Sequence, residues 1–179
     1  KRGSGLLPYP EEIDAFLNIV CKKTPLPISV KLRLGRFHKE EIEPVIPILN
    51  RYPLVSITLH PRIGKQLYKG EADIDAFGEA ASRINQRLIY NGDIFSVSFF
   101  TKLQNRFPYI EEWMLGRGAL RHPFLAEEIK GIADNGSRLE RLRLYHDELF
   151  AAYEDYLFGP AHLLDKMKEQ WTFLKCSFP

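Results

Sequence analysis

The chain has 179 residues, 45% apolar and 27% charged, with a formal net charge of +2. Such proportions suit a folded globular protein with a sizeable core, exclude a disordered chain, and leave any nucleic-acid binding to local clusters of charge. The sequence holds neither a signal peptide nor an apolar run near the roughly 20 residues of a membrane span, and Cys21 and Cys176 have no metal-type spacing, so a reduced, cytoplasmic protein without a metal is expected.

The first ten residues, KRGSGLLPYP, lack a Met and are already in a Gly-rich turn, which reads as a start in mid-loop with an N-terminal part missing. From Glu11 to Lys22 the positions Ile13, Phe16, Leu17 and Val20 share one helical face. Ile28 to Leu34 is the first strand. The next helix is expected from Glu43, because Pro44 and Pro47 then fall in its first turn, where N–H groups lack helical partners anyway. Leu54 to Leu59 forms a second, almost wholly apolar strand. Asp73 or Asp75 caps the helix that runs to Ile84, and Leu88 to Asn91 is a third strand ending in NGD. Ser96 or Ser98 caps a helix through Leu103, and Trp113 to Leu115 is a fourth strand running into GRG.

A short helix follows from Pro123 to about Asn135-Gly136. After Gly136 the period is helical throughout. One apolar stripe is Leu142, Tyr145, Leu149, Ala152 and Tyr156; after the Gly159-Pro160 break a second is Leu163, Leu164, Met167, Trp171 and Leu174. Near-continuous apolar strands separated by helices predict an α/β fold whose parallel sheet is covered on both faces. Four βα units make half of an eight-stranded barrel, and a half-barrel alone leaves sheet edges bare. The expected architecture is therefore the C-terminal half of a (β/α)8 barrel over residues 1–135 and a small all-helical appendage over 136–179, the N-terminal half-barrel being missing.

Barrel active sites lie at the C-terminal ends of the strands. Those ends carry Lys31 and Arg33, His60 and Arg62, Asn91 and Asp93, and Gly116 and Arg117. Glycines in NGD and GRG let backbone N–H groups approach a phosphate, and Arg117 adds a bidentate partner. Lys31, in an otherwise apolar strand, needs an anionic partner or a lowered pKa if it is buried. His60 is a candidate hydrogen-bond donor or proton carrier. Beyond it, Arg62, Lys65, Tyr68 and Lys69 mix cations with an aromatic ring, a composition suited to phosphate contacts and base stacking.

The segments KRGSGLL, SVKLRLG, ITLHPRIGKQLYKGEADIDAF, YNGDI and WMLGRGALRHPFLAEEI resemble, in order, the motifs of the tRNA-dihydrouridine synthases. The resemblance runs from Lys1 to about Ile129 and implies an FMN-dependent barrel that reduces uridine in tRNA with NAD(P)H. It implies that Lys31 and His60 contact the flavin ring, that Asn91, Asp93, Gly116 and Arg117 hold its ribityl-phosphate, and that Arg62, Lys65, Tyr68 and Lys69 meet tRNA. It further implies a tRNA-binding role for the helical appendage. The family's acid cysteine belongs to an NxGCP-like motif before KRGSG, so no catalytic residue is expected within this chain, which alone is expected to be inactive. Two other readings are a flavin barrel acting on a free pyrimidine and a non-catalytic RNA-binding module.

Overall fold

The computed structural model describes residues 3–133 and 136–178. By contacts the chain forms two compact units, one of Lys1–Asp93 with Leu103–Met114, the other of Ile94–Lys102 with Leu115–Pro179. This division does not follow the change of rhythm near residue 135, and Asn135 lies outside the described residues. Among the described residues no helix is long and apolar enough to cross a membrane.

The first unit holds β1 (Ile28–Gly35), β2 (Leu54–Ile63), β3 (Leu88–Tyr90) and β4 (Glu112–Trp113), all parallel and in that order. Before β1, α1 (Pro10–Lys23) begins with Pro at its first position and carries Glu11 and Glu12 in its first turn and Lys22 and Lys23 in its last. Each of these choices suits the unpaired N–H groups and dipole of a helix. Between β1 and β2 the expected single helix is broken. A 3-10 turn at Lys39–Ile42 precedes α2 (Ile46–Leu49), and only Pro47 falls in the first turn of α2. Pro44 stands ahead of it, because two prolines three residues apart cannot both continue one hydrogen-bonded spiral.

Asp73 accepts a hydrogen bond from the Ala76 N–H at 2.9 Å and so caps α3 (Ile74–Ala81), which ends three residues short of Ile84. Ser96 does the same for Phe99 at 3.2 Å, ahead of α4 (Val97–Arg106).

The sheet has two unlike faces. Register places Leu32, Leu59, Tyr90 and Trp113 side by side, and Lys31, Thr58, Ile89 and Glu112 in the neighbouring row. Adjacent rows point to opposite faces. The first row is apolar; Leu59 and Tyr90 are wholly buried there, with Phe77 of α3 edge-on to Tyr90 at 4.8 Å and to Phe107 at 5.1 Å. The second face is polar, and on β1, an edge strand, Ser29 and Lys31 are exposed. Cover on both faces was expected, and the side of β1 that carries Ser29 and Lys31 departs from it.

In the second unit lie α5 (Arg117–Arg121), α6 (Leu125–Ile129), α7 (Arg138–Tyr156) and α8 (Pro160–Leu174). Ser137 caps α7, and Gly159, at φ 88°, makes the break before α8. Phe124, Leu142 and Leu174 form a buried apolar cluster in this unit, with α8 packed on α5 and α7. The predicted stripes bury only part of their length. Leu142, Met167 and Leu174 are inside, whereas Tyr156 is 86% and Leu164 54% exposed.

Phe77→Ala should lower the stability of the chain by about 3–5 kcal/mol, the usual loss for a buried Phe, read as a lower urea midpoint.

Candidate functional site

β2 runs past Leu59. His60, Pro61 and Arg62 continue it to Ile63, with a register slip against β1 between Arg33 and Gly35. Gly64 N–H then donates to the Gly35 carbonyl at 2.8 Å and Lys65 N–H to that of Arg36 at 2.9 Å, so the following loop leaves the sheet already tethered.

Arg62 was expected on an exposed rim with Lys65, Tyr68 and Lys69. It is instead 2% exposed. Its Nη1 donates to Asp93 Oδ1 at 2.8 Å, and its Nη2 to the Gly70 carbonyl at 2.7 Å and to the second Asp93 oxygen. A guanidinium goes inside only with a carboxylate and carbonyls to satisfy it, and Asp93 and Gly70 supply them. Asp93 also accepts from the Ala72 N–H at 3.1 Å, so this carboxylate faces protein donors, where a ligand contact was expected. Its φ of 47° is a left-handed conformation that Asp tolerates better than most residues. Beside it, a Cβ on Gly92 would press on Ala72 Cβ and Tyr90 Oη at 3.3 Å, so the turn is closely packed here.

Lys31 is exposed, not buried. Its Nζ donates to Asn91 Oδ1 at 2.6 Å, and Asn91 Nδ2 donates to the Met114 carbonyl at 2.8 Å. Asn91 is thus a strut that aims Lys31. Partial desolvation, then the neighbouring Arg33 charge, holds the Lys31 ammonium below its ordinary pKa.

Arg33 is an organiser that sequence reading left without a role. Its Nη1 donates to the carbonyls of Ile63 at 2.8 Å and Leu67 at 2.7 Å, and the guanidinium lies 5.3 Å from the centre of the Tyr68 ring. Gln66 braces the same loop through the carbonyls of Lys69 and Glu71 at 2.8 and 3.0 Å. Lys65, Tyr68 and Lys69 are exposed on it. The signal available in the sequence was spacing, since Arg33 stands two residues after Lys31 on the same face of a strand.

His60 is 7% exposed. Its Nε2 lies 3.2 Å from Arg62 Nη1, and its ring centre is 6.2 Å from that of Tyr68. Burial first, then the charges of Arg33, Lys31 and Arg62, push its pKa down to about 4, with Asp93 acting the other way. His60 is therefore neutral at neutral pH. The charges acting on it are three cations and one carboxylate, a local excess of positive charge.

Gly116 and Arg117 belong to the second unit. Gly116 precedes α5, a helix of five residues, and no atom lies within 4 Å of where its Cβ would stand. Gly118 is a packing requirement, because an added Cβ would fall 1.9 Å from the Ile94 carbonyl oxygen. Arg117 lies 5.5 Å from the centre of the Phe95 ring. Cys21 is half-buried on α1, ahead of β1. Cys176 is exposed in the second unit. Among the described residues no three His, Cys, Asp or Glu side chains converge as metal ligands.

Residues 1–156 match the family model described as dihydrouridine synthase (Dus). The chain is similar to tRNA-dihydrouridine synthase B of Klebsiella pneumoniae, 27% identical over 144 residues that cover 79% of this chain and 44% of that protein. It resembles tRNA-dihydrouridine synthase B of Pasteurella multocida (strain Pm70) at 28% over 137 residues, covering 75% of this chain and 41% of the relative. A tRNA-dihydrouridine(47) synthase-like protein of Arabidopsis thaliana is 29% identical over 131 residues, 72% of this chain and 19% of its own length. The chain thus spans less than half the length of these curated relatives.

His60 sets a pH dependence of known sign. Unfolded, it takes up a proton as the pH falls through about 6.5; folded, it resists until about 4. The unfolded state binds more protons in that window, so this part of the stability is complete above about 6.5 and lost on acidification towards 4. The urea midpoint should be lower at about pH 5 than at about pH 7.5, and His60→Gln should reduce the difference.

Proposed function

Because the chain belongs to the dihydrouridine synthase family, we propose that it forms part of an FMN-dependent enzyme that reduces uridine in tRNA to 5,6-dihydrouridine with NAD(P)H. The observation that carries this reading is the cluster of Lys31, Arg33 and Arg62 around neutral His60, against the single carboxylate of Asp93. An excess of cations at the strand ends complements an anionic cofactor better than a neutral ligand. FMN fits these residues in charge and donor type: an ammonium aimed by Asn91, and an imidazole that stays neutral. When bound, FMN supplies the hydride that saturates the uracil ring.

In this proposal Lys31 and His60 are the residues that face the flavin ring. Asn91 acts by aiming Lys31. The phosphate role of Gly116 and Arg117 stands on their sequence positions, with the open space beside Gly116 in its favour. Neither Cys21 nor Cys176 is assigned as the acid. The four strands are read as the C-terminal strands of a (β/α)8 barrel over residues 1–135, followed by a helical region over 136–179.

Lys65, Tyr68 and Lys69 are proposed to meet tRNA. They stand exposed on a loop that Arg33, Arg62 and Gln66 hold from beneath, so little order is lost when it binds. A free pyrimidine has no use for such a rim, which favours the macromolecular substrate. The helical region is a weaker candidate for RNA: Arg138 pairs with Glu128 at 2.7 Å, Arg141 with Glu127 at 2.6 Å and Lys166 with Glu169 at 2.8 Å.

The full-length gene product should purify with bound FMN and, given NADPH, form dihydrouridine in unmodified tRNA; a flavin-free protein would favour the RNA-binding module instead. Lys65→Ala with Lys69→Ala should weaken tRNA binding and reduce the slope of log affinity against log salt by about 2. An unchanged slope would remove this loop from the RNA path.

A further inference from the structure

His60 has two ring nitrogens, and Arg62 distinguishes them. Arg62 Nη1 lies 3.2 Å from His60 Nε2 and donates to Asp93 Oδ1 at 2.8 Å. A guanidinium has only hydrogens to offer, so Nε2 must be the acceptor. On a neutral ring the one remaining proton then sits on Nδ1. That nitrogen has no hydrogen-bond partner among the described residues.

The geometry points to Arg62 and Asp93 as positioning residues that hold His60 as the neutral Nδ1–H tautomer, a fixed hydrogen-bond donor and not a proton carrier. Arg62 cannot turn away, because both terminal nitrogens are engaged, by Asp93 on one side and by the Gly70 carbonyl on the other. Asp93 is held in turn by the Ala72 N–H. A proton on Nε2 would set N–H against N–H. The groups around the ring oppose a second proton as well: Lys31 and Arg33 from β1 and Arg62 from β2 all disfavour it, and only Asp93, beyond β3, favours it. The phenol of Tyr68 faces the ring from the loop.

The ligand group that such a donor takes is an electron-rich carbonyl oxygen or ring nitrogen. Only the identity of that acceptor rests on the proposed flavin reading; the tautomer does not. Long-range proton–nitrogen correlation spectra of the 15N-labelled 179-residue chain without cofactor test it, with the His60 signals identified by their absence in His60→Gln. The expected spectrum shows a pyrrole-type Nδ1 and a pyridine-type Nε2, unchanged between about pH 8 and 5. Arg62→Met should lose this single-tautomer signature and let Nε2–H appear. Where that variant does not fold, Arg62→Met with Asp93→Leu removes both charges and serves the same purpose. A wild-type His60 protonated on Nε2, or titrating near its ordinary value, overturns the inference. A chain that shows the expected tautomer but whose full-length protein binds no flavin would refute the proposed function and leave this assignment standing.

Discussion

The arrangement of the strand ends depends on one buried ion pair. The Arg62 side chain is 1% exposed and the Asp93 carboxylate beside it 14%. Removing either partner alone strands a charge in a medium that solvates it poorly, an effect of about 3–5 kcal/mol in comparable buried pairs. The pair joins the last turn of β2 to the turn after β3, and through Gly70 and Ala72 it closes the intervening loop from behind. His60 Nε2, the Gly70 carbonyl and the Ala72 N–H are all gathered around that contact.

Two consequences follow for chemistry. Asn91 and Asp93, the polar residues of NGD, work behind the cations: one aims Lys31, the other fixes Arg62. In front of them stand an ammonium with a lowered pKa and an imidazole kept neutral. An ammonium suits the stabilisation of nearby negative charge, and an imidazole with a pKa of about 4 carries no charge at neutral pH.

Much of the fold is legible in the sequence because its signals are local. Asp73, Ser96 and Ser137 announce their helices through hydrogen bonds that span three residues, and Gly159-Pro160 ends one helix and starts the next. The order of strands is legible from the alternation of apolar runs with helical ones. The extension of β2 is not, since Pro61 and two charged or titratable neighbours look like a loop until Arg62 is known to be inside. Its partner lies 31 residues away, and only the pairing of β2 with β3 brings them together. The exposure of Lys31 escapes the sequence for a similar reason: an apolar strand signals burial, whereas what covers each of its faces is decided by distant parts of the fold. The polar character of the strand ends is legible; which residue aims which is not.

A double-mutant cycle between Arg62→Met and Asp93→Leu, read by urea unfolding of the chain, tests the central claim most directly. If the pair is the keystone of this edge, each single variant loses about 3 kcal/mol and the double variant loses no more than either, a coupling of about 3 kcal/mol or more. Losses that add to within about 0.5 kcal/mol would show that the two side chains act independently and would contradict the account.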